Sequence, residues 1–148
     1  MNAVIRVSTR LDAPAARAWE LARRSDTFRY VTRGLLGFCS PEPLPEVWRE
    51  GRTTRGRLVF FHLIPAWTHE IRIASVDAHA REIRTHEAGG PVTAWSHRIR
   101  VRPDGEGSRY TDEVRINAGL LTPLVWLHAQ LFFRYRQMRW RRLVRRPT

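Results

Sequence analysis

The feature that most constrains the fold is a long helix signal at the end of the chain, directly after a series of strand signals. The pair Thr122-Pro123 is typical of a helix start, because proline fits the first turn, where its missing N–H would have no partner. The helix pattern continues to about Arg146, and Pro147 predicts its end. We therefore expect one long C-terminal helix that packs against a sheet.

One stripe of this helix combines apolar and polar side chains. The residues that recur every three to four positions are Leu121, Leu124, His128, Leu131, Tyr135 and Met138. A helix on a solid core has no need of a histidine and a tyrosine in that stripe, whereas a helix above a pocket can use both. The stripe therefore predicts that the helix roofs a cavity.

Strand signals fill most of the remaining chain. Residues 3–11 alternate as in a half-buried strand, and two short helices are expected, from Asp12 to about Arg23 and from Ser25 to about Val31. Further strands are expected at 35–41, Thr53–Phe61, Thr68–Asp77, Arg81–Glu87, Ala94–Arg102 and Ser108–Ala118. This order predicts an α+β fold in which an antiparallel sheet carries its helices on one face.

The last two strands are expected to form a hairpin with polar side chains on its inner face. Arginines alternate along the first arm, and they are expected to face outward, because an unpaired buried arginine is very costly. The residues between them must therefore face inward. The inward residues are Trp95, His97, Ile99 and Val101 on the first arm and Tyr110, Asp112, Val114 and Ile116 on the second. A turn centred on Gly105-Glu106 places Ile99 opposite Asp112, and a slip of one pair places His97 there instead. Both registers remain open.

Length and composition limit the class of protein. The 148 residues suit a single domain over 1–148 with a sizeable core, and 43% of them are hydrophobic. No apolar run is long enough to span a bilayer, and the N-terminus lacks the apolar core of a signal peptide. The single cysteine, Cys39, excludes an internal disulfide and a thiolate zinc site. A cytoplasmic location is expected.

The chain has a formal net charge of +12, and all 26 of its basic residues are arginine. Seven of them fall between Arg134 and Arg146. Two interpretations remain open: a solvated helix end whose cations offset the helix dipole, or a surface for RNA, the ribosome or an anionic membrane. The sequence contains no specific nucleic-acid-binding motif.

Four segments together resemble a known superfamily. They are LDAPAARAW (11–19), IRIASVD (71–77), GGPVTAWSH (89–97) and YTDEV (110–114). In order and spacing they resemble START/Bet v 1-like (SRPBCC) proteins, in particular the bacterial polyketide cyclase/dehydrase-type members. The resemblance implies a helix-grip fold, in which a curved antiparallel sheet of about seven strands wraps around a long C-terminal helix. It also implies an apolar cavity between them for a lipid, sterol, polyketide or other hydrophobic ligand.

The candidate site residues follow from these faces. Cavity walls are expected from Trp67, Trp95, Phe60 or Phe61, Leu124, Leu131 and Phe132. Polar ligand contacts are expected from His69, His97, Tyr110, His128 and Tyr135. His97 with Asp112 is the best catalytic pair, because a carboxylate orients an imidazole and raises its basicity. The alternative is a hydrogen-bonded pair that satisfies two polar groups near the core.

Three functions remain open at this stage. The first is a carrier or sensor that binds a hydrophobic small molecule, and the second is a cyclase-, aromatase- or dehydratase-like enzyme that uses His97 and Asp112. The third is an interaction module that uses the basic surface. No cofactor is expected, and the spacing of the histidines matches no standard zinc pattern.

Overall fold

A computed structural model describes residues 2–146, which form a single seven-stranded sheet and three α-helices. The strands are β1 (Ala3–Leu11), β2 (Leu36–Cys39), β3 (Thr53–Phe60), β4 (Ile64–Asp77), β5 (Glu82–Gly89), β6 (Val92–Asp104) and β7 (Gly107–Asn117). Their order in the sheet is β1-β7-β6-β5-β4-β3-β2, and each neighbouring pair is antiparallel. The predicted antiparallel sheet is confirmed.

The sheet curves because three of its strand pairs are irregular. The register shifts between Arg57 and Val59, between Ile73 and Ser75, and between Glu87 and Gly89. An extra residue in one strand bends that strand and increases its twist. The extra residues lie in β4 in the first two cases and in β6 in the third, and the sheet presents a concave face.

The helices are α1 (Ala15–Ala22), α2 (Ser25–Thr32) and α3 (Thr122–Val144), with a 3₁₀ turn at Gly119–Leu121 before α3. The helix α3 begins where Thr122-Pro123 predicted it and ends at Val144, two residues before Arg146. Pro147, the predicted stop, lies outside the described residues. No helix within 2–146 is long and apolar enough to cross a membrane.

Two apolar clusters attach α3 to the sheet. Near its C-terminus, Trp140 packs on Tyr110 of β7 with ring centroids 4.6 Å apart, in a cluster that includes Trp19 of α1. Nearer its N-terminus, Ala129 and Phe133 pack against β1 and β7. These clusters fix the helix over the concave face of the sheet.

The face of α3 that is buried differs from the predicted stripe. The buried helix residues are Thr122, Ala129, Phe133, Arg136, Gln137, Trp140 and Val144. Leu124 and Leu131, which the stripe placed inward, are 65% and 66% exposed. The prediction was wrong for two reasons. Apolar residues lie around the first half of α3, so hydrophobicity does not mark one face there. In the second half, the polar residues Arg136 and Gln137 belong to the buried face.

Candidate functional site

A cavity of about 440 Å³ lies between α3, α2 and the concave face of the sheet. Most of its lining is apolar, and its aromatic residues are Phe28, Trp48, Phe60, Trp67, Trp95, Tyr110, Phe132, Phe133 and Trp140. Leu121, Leu124 and His128 also line it although they are exposed, so its mouth lies beside the first turns of α3. Across that mouth, the ring of Phe60 contacts His128 at 5.9 Å between centroids.

Most of the predicted site residues line this cavity. They are Trp67, His69, Trp95, His97, Tyr110, Leu124 and His128. The open choice between two phenylalanines is also settled: Phe60 lines the cavity, and Phe61 is exposed in the turn after β3.

Two residues predicted to line the cavity do not. Leu131 lies on the outward face of α3, and Tyr135 donates its hydroxyl to the backbone carbonyl of Arg33 after α2. Both predictions are wrong, because the helix is rotated relative to the predicted stripe. Tyr135 therefore fastens α3 to the segment after α2 and offers its hydroxyl to no cavity ligand.

The hairpin of β6 and β7 adopts the register centred on Gly105-Glu106. Ile99 lies opposite Asp112, and His97 lies opposite Val114. His97 nevertheless reaches Asp112 diagonally and donates its Nε2–H to Oδ1 over 2.7 Å. The two side chains meet on the concave face, where His97 is buried and lines the cavity.

Asp112 is the centre of a buried hydrogen-bond network. Its carboxylate is fully buried and accepts hydrogen bonds from His97, from the Tyr110 hydroxyl at 3.0 Å and from Gln137 Nε2 at 3.1 Å. Gln137 also donates to the backbone carbonyl of Val7 at 2.6 Å. The network therefore joins β1, β6, β7 and α3 at the innermost wall of the cavity.

Electrostatics within this network keep Asp112 ionised. Burial by itself raises the pKa of Asp112, but the hydrogen bond and charge of His97, the charge of Arg136 and the hydrogen bond from Gln137 outweigh it and lower that pKa. Burial and the negative charge of Asp112 raise the pKa of Tyr110 well above its usual value. Tyr110 thus remains a protonated donor, and Asp112 remains an acceptor.

A second histidine–carboxylate pair lines the cavity on β4 and β5. His69 donates Nε2–H to Glu87 at 3.0 Å, Thr85 donates to the same carboxylate at 2.7 Å, and Trp67 donates to His69 Nδ1 at 3.4 Å. Burial raises the pKa of Glu87, but the hydrogen bond from His69 and the attraction of His69 and His97 outweigh it, so that pKa is lowered. The contact between His69 and Glu87 depends on the pairing of β4 with β5, which the sequence alone did not indicate.

The cavity also contains a cation that sequence reasoning missed. Arg136 lines it and is only 7% exposed, and its guanidinium carbon lies 5.1 Å from the ring centroid of Phe133 and 5.8 Å from that of Phe132. It was assigned to the basic run at the helix end, where arginine usually faces water. The signal that could have found it is its spacing of eight and four residues from His128 and Phe132.

The remaining arginines of the run 134–146 mostly contact the protein itself. Arg139 donates to the carbonyl of Tyr30, Arg141 to Thr9, and Arg145 to Asp12. These contacts hold the end of α3 against α2 and β1. They account for part of the basic run without any external partner.

Metal-ligating side chains do not converge in the part of the chain that the structure describes. No three histidine, cysteine, aspartate or glutamate side chains within 2–146 are grouped so as to hold a metal ion. Partial burial against the cavity mouth lowers the pKa of His128. Its neutral imidazole stacks on Phe132 with ring centroids 6.0 Å apart, so it forms part of the aromatic wall.

Sequence comparison and structure comparison give different results. No protein-family model and no curated protein matches the chain by sequence. Among solved structures, a START superfamily protein from Mycobacterium smegmatis matches with a TM-score of 0.71 at 12% identity, over 95% of this chain and 96% of that one.

Two plant proteins match over a similar extent. A major latex-like protein from Panax ginseng has a TM-score of 0.72 at 12% identity, with 98% of this chain and 99% of that chain covered. A truncated norcoclaurine synthase from Thalictrum flavum has a TM-score of 0.68 at 16% identity, with 100% and 96% covered. The strand order, the enclosed α3 and these matches agree, and the chain therefore has the helix-grip fold of START/Bet v 1-like proteins.

Proposed function

We propose that this protein binds a hydrophobic small molecule in the cavity beneath α3, as a carrier or a sensor. The observation that carries the proposal is the cavity itself, whose volume of about 440 Å³ falls within the range of small-molecule sites, about 300–1,000 Å³. Aromatic and aliphatic side chains form most of its wall, and a few placed polar groups interrupt it. This composition is typical of ligand pockets.

The mouth of the cavity supports the same proposal. Leu121 and Leu124 are exposed beside it, and Leu120 is exposed in the 3₁₀ turn before α3. Exposed apolar side chains are costly to a protein in water, and a concentration of them often marks a place where an apolar partner enters. An apolar ligand can pass these leucines before it reaches Trp67 and Trp95 inside.

A substitution that fills the cavity tests the proposal. Val125 lines the cavity and Leu127 is exposed on the same helix, so Val125→Trp and Leu127→Trp form a matched pair. The uncharged fluorescent probe N-phenyl-1-naphthylamine measures binding without attraction to the arginines. We expect Val125→Trp to weaken binding about tenfold or more, since it removes ligand space or forces overpacking, and Leu127→Trp to leave it unchanged.

Two results would overturn the proposal. One is the absence of any saturable binding of the probe to the wild type. The other is an equal loss of affinity in both variants, which would locate the bound probe on the outer surface of α3. Native mass spectrometry of the freshly purified protein provides an independent readout through any co-purified apolar molecule.

A second candidate function is proton-transfer catalysis on a polyketide-like chain, as in a cyclase, aromatase or dehydratase. The specific observation in its favour is the 2.7 Å hydrogen bond between His97 and Asp112 at the cavity wall. Asp112 orients the imidazole and stabilises its protonated form, so His97 can act as a general base toward a substrate in the cavity. Both partners are held by the fold before any ligand arrives.

This candidate is tested with a short poly-β-ketoacyl thioester and detection of a cyclised or dehydrated product. His97→Ala is expected to abolish turnover while probe binding persists. Ser96→Ala is the control, because Ser96 is the next residue and bonds His86 on the exposed side of the sheet. Loss of folding in His97→Ala, or turnover equal to the wild type, would favour a structural role for the pair.

A further inference from the structure

We propose that the cavity selects ligands with a single carboxylate on an apolar body, and that Arg136 holds the carboxylate. This inference rests on the proposed binding function and names the chemical class of the ligand. It follows from the state of the Arg136 side chain, from its depth in the cavity and from the charge around it.

The guanidinium of Arg136 has unused hydrogen-bonding capacity. The side chain is 7% exposed, its Nε has no hydrogen-bond partner, and it makes no hydrogen bond or ion pair with any residue between 2 and 146. A guanidinium carries five N–H donors, and its burial without partners is costly. Its contacts are the faces of Phe132 and Phe133, which attract the cation but accept no strong hydrogen bond.

Two carboxylates, the mostly buried Glu87 in the cavity lining and the fully buried Asp112 next to His97, are already engaged by other groups. Asp112 accepts from His97, Tyr110 and Gln137, and Glu87 accepts from His69 and Thr85. Neither of them lies within ion-pair distance of Arg136 among the described residues. The charge of Arg136 still lowers the pKa of Asp112, so the field of Asp112 stabilises the cation over a longer distance.

The position of Arg136 on α3 sets the shape of the ligand. His128, Phe132, Arg136 and Trp140 all line the cavity at four-residue intervals, and His128 lies at the mouth. At 1.5 Å per residue, Arg136 lies about 12 Å further along the helix than His128. A carboxylate at Arg136 would therefore place an apolar body of about this length along the aromatic wall toward the mouth.

One carboxylate suits this site better than a phosphate. The planar fork of a guanidinium matches a carboxylate with two parallel N–H···O bonds. A phosphate dianion would bring a second negative charge into a cavity that is lined by the ionised Glu87 and lies close to the ionised Asp112. A single negative charge neutralises Arg136 and is repelled less by these two carboxylates than a dianion would be.

A matched pair of ligands and a matched pair of variants test the inference. The ligands are pyrenebutanoic acid and its uncharged counterpart pyrenebutanol, titrated at 150 mM salt to screen surface arginines and followed by pyrene fluorescence. The variants are Arg136→Met and Arg142→Met, because Arg142 is exposed on the same helix and its loss changes the net charge equally. Arg136→Lys keeps the charge but lacks the planar fork.

We expect wild-type protein to bind the acid at least about tenfold more tightly than the alcohol. Arg136→Met should remove this difference by weakening the acid alone, Arg136→Lys should restore part of it, and Arg142→Met should preserve it. If Arg136→Met fails to fold, the wild-type ligand ratio together with Arg136→Lys and Arg142→Met still decides the question.

Equal affinity of wild type for the two ligands would overturn the inference and leave the proposed binding function in place. An equal loss in Arg136→Met and Arg142→Met would overturn it as well, because the preference would then come from net charge. Absence of binding by both ligands and by the uncharged probe would instead overturn the binding function.

Discussion

Replacement of Asp112 by alanine should destabilise this protein far more than an equivalent change next to it. Asp112 is fully buried on the cavity side of β7, and its carboxylate receives hydrogen bonds from His97, Tyr110 and Gln137. Glu113, the next residue, lies on the opposite face and pairs with Arg98 at 2.9 Å in a partly exposed position. The two substitutions therefore differ in burial and in the number of donors that lose a partner.

The magnitude follows from the donors that Asp112→Ala leaves behind. A buried donor without a partner costs about 1–3 kcal/mol. Gln137 keeps its bond to the Val7 carbonyl, so His97 and Tyr110 bear most of the effect, and the expected loss is about 2–6 kcal/mol. Glu113→Ala removes a partly solvated ion pair and should cost about 1 kcal/mol or less. Asp112→Asn retains one acceptor oxygen and should fall between them.

Urea unfolding at pH 7, followed by tryptophan fluorescence, measures these differences as changes in the free energy of unfolding. A typical domain has a total of about 5–15 kcal/mol, so a loss of about 2–6 kcal/mol is a large and measurable fraction of it. The reasoning would be refuted if Asp112→Ala and Glu113→Ala lost the same free energy. Equal losses would mean that the network around Asp112 contributes no more than a surface pair.

The pH dependence provides a second check on the same network. The folded-state pKa of Asp112 is lowered, so its charge stabilises the fold above the unfolded pKa of about 3.9. That contribution is lost as the pH falls through the lower folded-state pKa. The stability difference between wild type and Asp112→Asn should therefore be full at pH 6 and shrink toward pH 3. A difference that stays constant over this range would contradict the lowered pKa.

Three further predictions concern the packing and the surface. Gly56→Ala should lower stability by about 1–3 kcal/mol in thermal unfolding, because the new Cβ would lie 2.5 Å from the Phe38 ring; an unchanged melting temperature would show that the ring moves freely. Trp140→Ala should cost about 3–5 kcal/mol, since this buried ring packs on β7, and a loss below 1 kcal/mol would contradict that packing. Arg55→Ala should change the free energy of unfolding by less than about 1 kcal/mol, because its ion pair with Glu70 is exposed; a larger loss would contradict this.

The hairpin of β6 and β7 shows how far local sequence rules reach. Alternation along the two strands predicted their inward faces, and the turn residues Gly105-Glu106 favoured the observed register, with Gly105 at a φ of +60°. The contact from His97 to Asp112 remained ambiguous, because the two residues are diagonal in that register. The twist of neighbouring strands brings such diagonal side chains together, and twist is a property of the assembled sheet.

The pair of His69 and Glu87, in contrast, could not be predicted from local sequence rules. Their strands were both predicted, but the register between β4 and β5 shifts at an irregularity between Ile73 and Ser75. A shift of one residue exchanges the faces that two strands present to each other. No local pattern in the sequence indicated this shift, so the second histidine–carboxylate pair was visible only after the strands were paired.

The sequence alone therefore determined the order of the elements, the antiparallel sheet, the position of α3 along the chain and the inner face of the last hairpin. Each of these depends on residues close together in the chain, through periodicity, proline and turn glycines. Only the tertiary structure decided which face of α3 is buried. Arg136 and Gln137 lie inside because groups from distant strands and the cavity receive them, and a hydrophobicity pattern along one helix contains no information about those groups.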